Sequence, residues 1–176
     1  MKTLTEQLAQ YAAYHRDRRN IALHLIGIPL IVASIDVLLS RPAFAVDGIG
    51  LTPAILISLA VGLFYLILDL RLGIAMALVL AGGAWLGKVV AAYPTPTWLS
   101  VGIGLFVIGW IIQLVGHVQE GRKPAFLDDL IGLLIGPLFV LAEIGFALGL
   151  RRELEAAVEA KAGHKKKGRD RPRPSS

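Results

Sequence analysis

The sequence predicts an all-α, polytopic membrane helical bundle, with about four full spans plus a broken or fifth C-terminal membrane segment. Three observations carry this. The 176 residues are 55% hydrophobic with a mean hydropathy of +0.65, too apolar for an ordinary soluble domain. Apolar runs long enough for the hydrocarbon core recur along the chain, separated by short polar or Pro/Gly-bearing turns. The net charge of +5 is confined to one end: residues 151–176 hold nine Lys/Arg and four Asp/Glu, leaving nine of each elsewhere. Beside membrane spans such a tail reads as a topology signal that meets anionic headgroups, not as a nucleic-acid site. The chain therefore divides into a single membrane-embedded domain over residues 1–150 and a basic cytoplasmic tail over 151–176. The tail starts as a charged helix and is expected to be disordered at its Pro/Ser-rich end.

The elements follow in order. Residues 4–14 carry Leu4, Leu8, Tyr11 and Ala12 at helical spacing, which predicts a short amphipathic helix on the membrane surface, capped by Thr3 or Thr5. The first span covers residues 20–39, with Gly27 for close packing and Pro29 for a kink. It is longer than a signal-peptide core and follows a polar, histidine-bearing stretch, so it reads as a retained span despite Ala43-Phe44-Ala45 beyond it. Residues 40–53 form a loop. Spans over 54–68 and 72–92 make a tight hairpin about Asp69-Leu70-Arg71, with Gly82, Gly83 and Ala84 as a small-residue packing face. After a Pro-rich aromatic turn at 93–98, a fourth span covers 99–115.

Residues 126–150 strain this scheme. Basic residues cluster before the first span, at Arg71, at Arg122-Lys123 and in the tail, and the positive-inside rule places all four groups on the cytoplasmic side. A simple fifth crossing would export the tail. The segment is instead expected to enter and return, broken at Gly136-Pro137, with a plain five-span bundle as the alternative.

The chain has no cysteine, which excludes disulfides, thiolate metal sites and thiol catalysis. Any metal must rest on His, Asp, Glu or neutral oxygens. Polar residues inside apolar runs are functional candidates. His24 lies among Ile21, Ala22, Leu23, Leu25 and Ile26; Asp17, Asn20 and His24 share one helical face. His15 would fall on the opposite face, about 13.5 Å away along a straight helix. Either the chain breaks between Arg16 and Asn20, or the two histidines serve different centres. Gln113, His117 and Glu120 share a second face, at i, i+4 and i+7. The topology puts His15, His24 and His117 near one membrane face, where imidazoles with oxygen donors suit iron, zinc or copper.

Two motifs carry a resemblance: His15-x4-Asn20-x3-His24-x2-Gly27-x-Pro29 and Gln113-x2-Gly116-His117-x2-Glu120-x3-Pro124-Ala125, with Pro137-x5-Glu143 after them. Together they resemble the fungal 2-hydroxy fatty acid dioxygenase family of phytosphingosine breakdown, over roughly residues 10–150. The resemblance implies a membrane-embedded enzyme that depends on Fe(2+) and shortens a long-chain 2-hydroxy fatty acid by one carbon with O2. It implies His15, His24 and His117 as metal ligands, with His24, His117 and Glu120 in the catalytic set. Asn20, Gln113, Arg122 and Lys123 are the substrate-binding candidates, the last two for the carboxylate. His164 lies outside the match and reads as part of a solvated tail. The expected setting is the bilayer, the bacterial inner membrane or the endoplasmic reticulum of a eukaryote, with both termini cytoplasmic and room for a homo-oligomer. Two other readings stay open: a small proton-coupled carrier with a pathway through Asp36, Glu143 and His24, and a structural adaptor acting through the basic tail.

Overall fold

The computed structural model describes residues 2–46, 49–121 and 131–163. Among these are seven helices: α1 (Leu4–Tyr14), α2 (Arg18–Leu38), α3 (Pro53–Leu68), α4 (Leu70–Ala91), α5 (Thr95–Glu120), α6 (Ile131–Ala147) and α7 (Arg152–Ala162). The all-α bundle stands. Helices α2, α4 and α5 are long and apolar enough to cross a membrane, and the bent pair α6–α7 makes a fourth if counted as one span. At 16 residues, α3 is about 24 Å long, somewhat short of a hydrocarbon core of about 30 Å.

Helix α1 begins as expected. The Thr3 side chain accepts from the Glu6 N–H and the Glu6 carboxylate accepts from the Thr3 N–H, a reciprocal cap. Its surface location is corrected: Leu8 and Tyr11 are buried, and the helix packs on α6 and α7 instead of lying on lipid. Its apolar stripe is covered by protein. The helix stops at Tyr14. His15 to Asp17 are non-helical, and α2 restarts with Asp17 as its N-cap, Oδ1 accepting from the Arg19 N–H at 2.8 Å.

The antiparallel pair α2–α5 is the spine. Gly102, Gly109 and Gly116 repeat every seven residues along α5 and face Leu38, Gly27 with Ile31, and Asn20. A Cβ on Gly109 would lie 3.0 Å from the Gly27 carbonyl and 2.7 Å from Ile31 Cγ1, so the backbones approach as only glycine permits. The α3–α4 hairpin turns on Asp69, which ends α3 and caps α4 by accepting from the Leu72 N–H at 2.9 Å. Gly83 packs against Asp36 of α2, as the small-residue face predicts, but nothing lies within 4 Å of a Cβ on Gly82.

Two segments differ from expectation. The loop at 40–53 contains a short antiparallel hairpin, β1 (Phe44–Val46) and β2 (Ile49–Leu51). The aromatic turn at 93–98 is shorter, because α5 starts at Thr95 and already includes Trp98. Arg41 ties both together: it lies 4.8 Å over the Trp98 ring and donates to the Tyr93 carbonyl at 2.6 Å.

Helix α6 runs unbroken through Gly136-Pro137, so the predicted break is misplaced. The bend comes between Ala147 and Arg152, where α7 leaves at 119°. Tyr65 Oη donates to the Leu134 carbonyl at 2.6 Å, and Arg151 pairs with Asp69 at 2.8 Å. Tyr65 and Asp69 are about 6 Å apart along α3, whereas Leu134 and Arg151 would span about 25 Å of straight helix. The start of α6 and the chain just after it are thus both tied to the last turn of α3. The largest fully buried side chains, including Leu8, Tyr65, Met76 and Phe139, gather where α1, α3, α4 and α6 meet.

Candidate metal centre and its cavity

The break between α1 and α2 answers the helix-phase problem. It turns His15 back over His24, so that one nitrogen of each of His15, His24 and His117 lies within 4.8 Å of the others. Two nitrogens at about 2.1 Å from one ion are at most about 4.2 Å apart. Three nitrogens on one tetrahedral ion lie about 3.4 Å apart, so the widest pair would close by up to about 1.4 Å to share it. Among the described residues this is the group with metal-ligand geometry. The ring centroids are 4.3 Å apart for His15–His24, 4.9 Å for His24–His117 and 5.1 Å for His15–His117.

Hydrogen bonds set which nitrogen is free. His15 Nδ1 lies 2.8 Å from the Tyr11 carbonyl, and His24 Nδ1 lies 2.9 Å from the Asn20 carbonyl. A carbonyl only accepts, so both rings carry their proton on Nδ1 and keep a lone pair on Nε2. His15 Nε2 is buried with no hydrogen-bond partner. Burial, joined by the neighbouring His24, pushes the His15 imidazole down to about 3, so it sits neutral, the form that binds metals. Tyr11 stacks on His15 at 4.3 Å and 11°, and Phe139 lies 4.9 Å from Tyr11. A buried, orphaned lone pair beside two further imidazoles, with ring orientations fixed by carbonyls, is a donor set that fits a metal ion.

His24, His117 and Gln113 stand at the polar end of a cavity of about 320 Å³. Its walls are apolar: Ile28, Ile31, Val32 and Ile35 of α2, Phe106 and Trp110 of α5, and the Gly132–Pro137 stretch of α6. From His24 to Ile35 it follows α2 for about 16 Å, roughly one leaflet of a hydrocarbon core about 30 Å thick. Ile35, Phe106 and Leu133 at its edges are exposed, so it opens on the lipid-facing side.

The remaining predicted residues separate. Gln113 lines the cavity, with its Oε1 buried and without a hydrogen-bond partner. Asn20 does not line it: fully buried against Gly116, it donates from Nδ2 to Glu120 Oε2 at 2.6 Å. Glu120 is likewise engaged away from the nitrogens; its Oε1 accepts from the backbone N–H groups of Arg16 and Asp17 at 2.5 and 3.1 Å. Arg122, Lys123 and His164 lie outside the described residues. Asp36, Glu143 and His24 do not share a pathway. Asp36 faces a second apolar cavity between α2, α4 and α6, Glu143 lines a small crevice beside His15 and Arg16, and only His24 faces the cavity that Gln113 and His117 line. Tyr11, Trp110 and Phe139 were invisible as site residues; the one available signal was Tyr11 standing one helical turn before His15.

Residues 1–148 match the family model described as 2-hydroxy-palmitic acid dioxygenase Mpo1-like. The 2-hydroxy-palmitic acid dioxygenase MPO1 of Saccharomyces cerevisiae is 34% identical over 158 residues, which cover 89% of this chain and 87% of the yeast protein. No solved structure matches. With nearly its whole folded length matched, histidine centre included, the chain belongs to the Mpo1-like family.

Proposed function

We propose that this protein is a membrane-embedded dioxygenase that takes long-chain 2-hydroxy fatty acids and shortens them by one carbon with O2. The observation that supports it best is a cluster of three buried histidines, two of which, His24 and His117, line the polar end of an apolar cavity about one leaflet long. The similarity to the yeast 2-hydroxy-palmitic acid dioxygenase points the same way.

In this reading His15, His24 and His117 hold Fe(2+). The bound ion supplies the redox chemistry that O2 requires and leaves positions open to a chelating substrate. The chain's own residues do the rest. The cavity walls bind the acyl chain and exclude water. Gln113, one helical turn before His117, has an acceptor oxygen free for the substrate hydroxyl. The Tyr11 and Asn20 carbonyls hold the protons of His15 and His24 on Nδ1. Arg122 and Lys123, just beyond α5, meet the substrate carboxylate, with Arg122 the stronger partner because its planar fork grips both oxygens.

Elemental analysis of the detergent-purified protein, together with oxygen uptake on 2-hydroxypalmitate, tests the proposal. Near-stoichiometric iron and a product one carbon shorter are expected, with iron lost in His15→Ala, His24→Ala and His117→Ala variants that keep their helical circular dichroism. Full iron occupancy in those variants would refute the shared centre. Oxygen uptake unchanged by 2-hydroxypalmitate would refute the reaction.

A further inference from the structure

The Glu120 side chain bonds both the non-helical stretch between α1 and α2 and the first turn of α2. Its Oε1 takes two successive backbone N–H groups, those of Arg16 and Asp17, in the non-helical stretch that carries His15. Its Oε2 takes Asn20 Nδ2 at 2.6 Å, in the first turn of α2. Asn20 in turn offers its backbone carbonyl to His24 Nδ1. Glu120 itself lies one turn after His117 on α5. His15 is thus the neighbour of a residue the carboxylate holds, His24 is one hydrogen bond beyond Asn20, and His117 is one helical turn away. The N-terminal end of α2 also favours negative charge, because its first N–H groups have no partners within the helix.

We infer that Glu120 is a positioning residue for the metal centre, holding the His15 segment and the start of α2 against the last turn of α5 so that the three imidazoles converge. This rests on the proposed three-histidine metal site. Gly116 belongs to the same device: a Cβ there would lie 2.2 Å from Asn20 Oδ1, so only glycine lets Asn20 sit under Glu120.

The test reverses one hydrogen bond. In E120Q the remaining oxygen still accepts from Arg16 and Asp17, but the new amide nitrogen faces Asn20 Nδ2, donor against donor. In the N20D/E120Q double variant that contact is restored with its direction reversed. The probe is Co(2+), titrated into metal-depleted protein in detergent and read by its visible absorption, which reports affinity and coordination geometry without turnover. E120Q should bind Co(2+) about 10- to 100-fold more weakly, the usual effect of removing a group that orients ligands, and with an altered spectrum. N20D/E120Q should recover both to within about threefold. A general loss of stability would not be repaired by reversing one hydrogen bond.

If E120Q alone fails to fold, N20D carries the test. It sets carboxylate against carboxylate and should weaken Co(2+) binding, and adding E120Q should restore it. Wild-type affinity and spectrum in E120Q, or a double variant no better than its worse parent, overturns the role of Glu120 alone. Wild-type protein that takes up no Co(2+) overturns the metal site and this inference with it.

Discussion

At the polar end of the cavity, Gln113 packs its side chain against Gly27, while its Oε1 is buried with no partner. An unmet buried acceptor costs about 1–3 kcal/mol. Gln113→Leu removes that cost, so it should leave thermal stability in detergent unchanged or raised. The same substitution removes the acceptor assigned to the substrate hydroxyl, and KM for 2-hydroxypalmitate should rise about tenfold, the worth of one hydrogen bond of about 1.4 kcal/mol. A fall in stability with unchanged KM would show that the amide serves packing only. The three histidines were legible as metal candidates because imidazoles in or beside apolar runs demand a reason. The role of Glu120 was not, because its partners are backbone N–H groups of Arg16 and Asp17, and main-chain donors leave no mark in a sequence.

At the scale of the helix, the seven-residue glycine repeat of α5 sets how closely it meets α2. Gly109→Ala puts a methyl 2.7 Å from Ile31 Cγ1, in a crossing with no slack, and should destabilise by about 1–3 kcal/mol. Gly82→Ala, with open space around it, is the control and should be neutral. Thermal unfolding followed by circular dichroism distinguishes them. That repeat was present in the sequence but obscured by the other glycines, since only the antiparallel register shows that residues 102, 109 and 116 face α2. The start of α7 gives a second test. Arg151 donates two hydrogen bonds to Asp69, at 3.0 and 2.8 Å, and holds its carboxyl below the usual range. A carboxyl with a lowered folded pKa adds stability above its unfolded value of about 3.9, and that stability disappears as pH falls through the folded value. Docking of α7 should therefore be constant from neutral pH to about 5 and loosen below about 4. Hydrogen exchange across residues 152–162 should show this, and Arg151→Ala should give the loose pattern at every pH.

For the whole molecule, the charge pattern and the fold bear on the same question. By the positive-inside rule, the basic residues predict that the start of the chain and its tail lie on one side of the membrane. Helix α6 is tied near its start, at Leu134, and just after its end, at Arg151, to the last turn of α3, and its 119° bend into α7 makes the pair a broken span or a re-entrant segment. Cysteines placed singly at Lys2 and Ser176 should react with an impermeant thiol reagent from the same side, and the lack of native cysteine keeps the background clean. Labelling from opposite sides would restore the five-span alternative. Span number and hairpin position were readable because hydropathy and turn residues act locally. The placement of α6 goes with two long-range contacts, Tyr65 to Leu134 and Asp69 to Arg151, which a local pattern does not encode.

The cavity's apolar mouth, edged by Ile35, Phe106 and Leu133, decides how the protein senses concentration. A ligand entering there comes from the bilayer, so the quantity that governs occupancy is its mole fraction among lipids, not its molarity in the buffer. Adding empty phospholipid to a fixed amount of enzyme and 2-hydroxypalmitate in vesicles should then slow the reaction by surface dilution. Changing the aqueous volume around the same vesicles should leave the rate per enzyme unchanged.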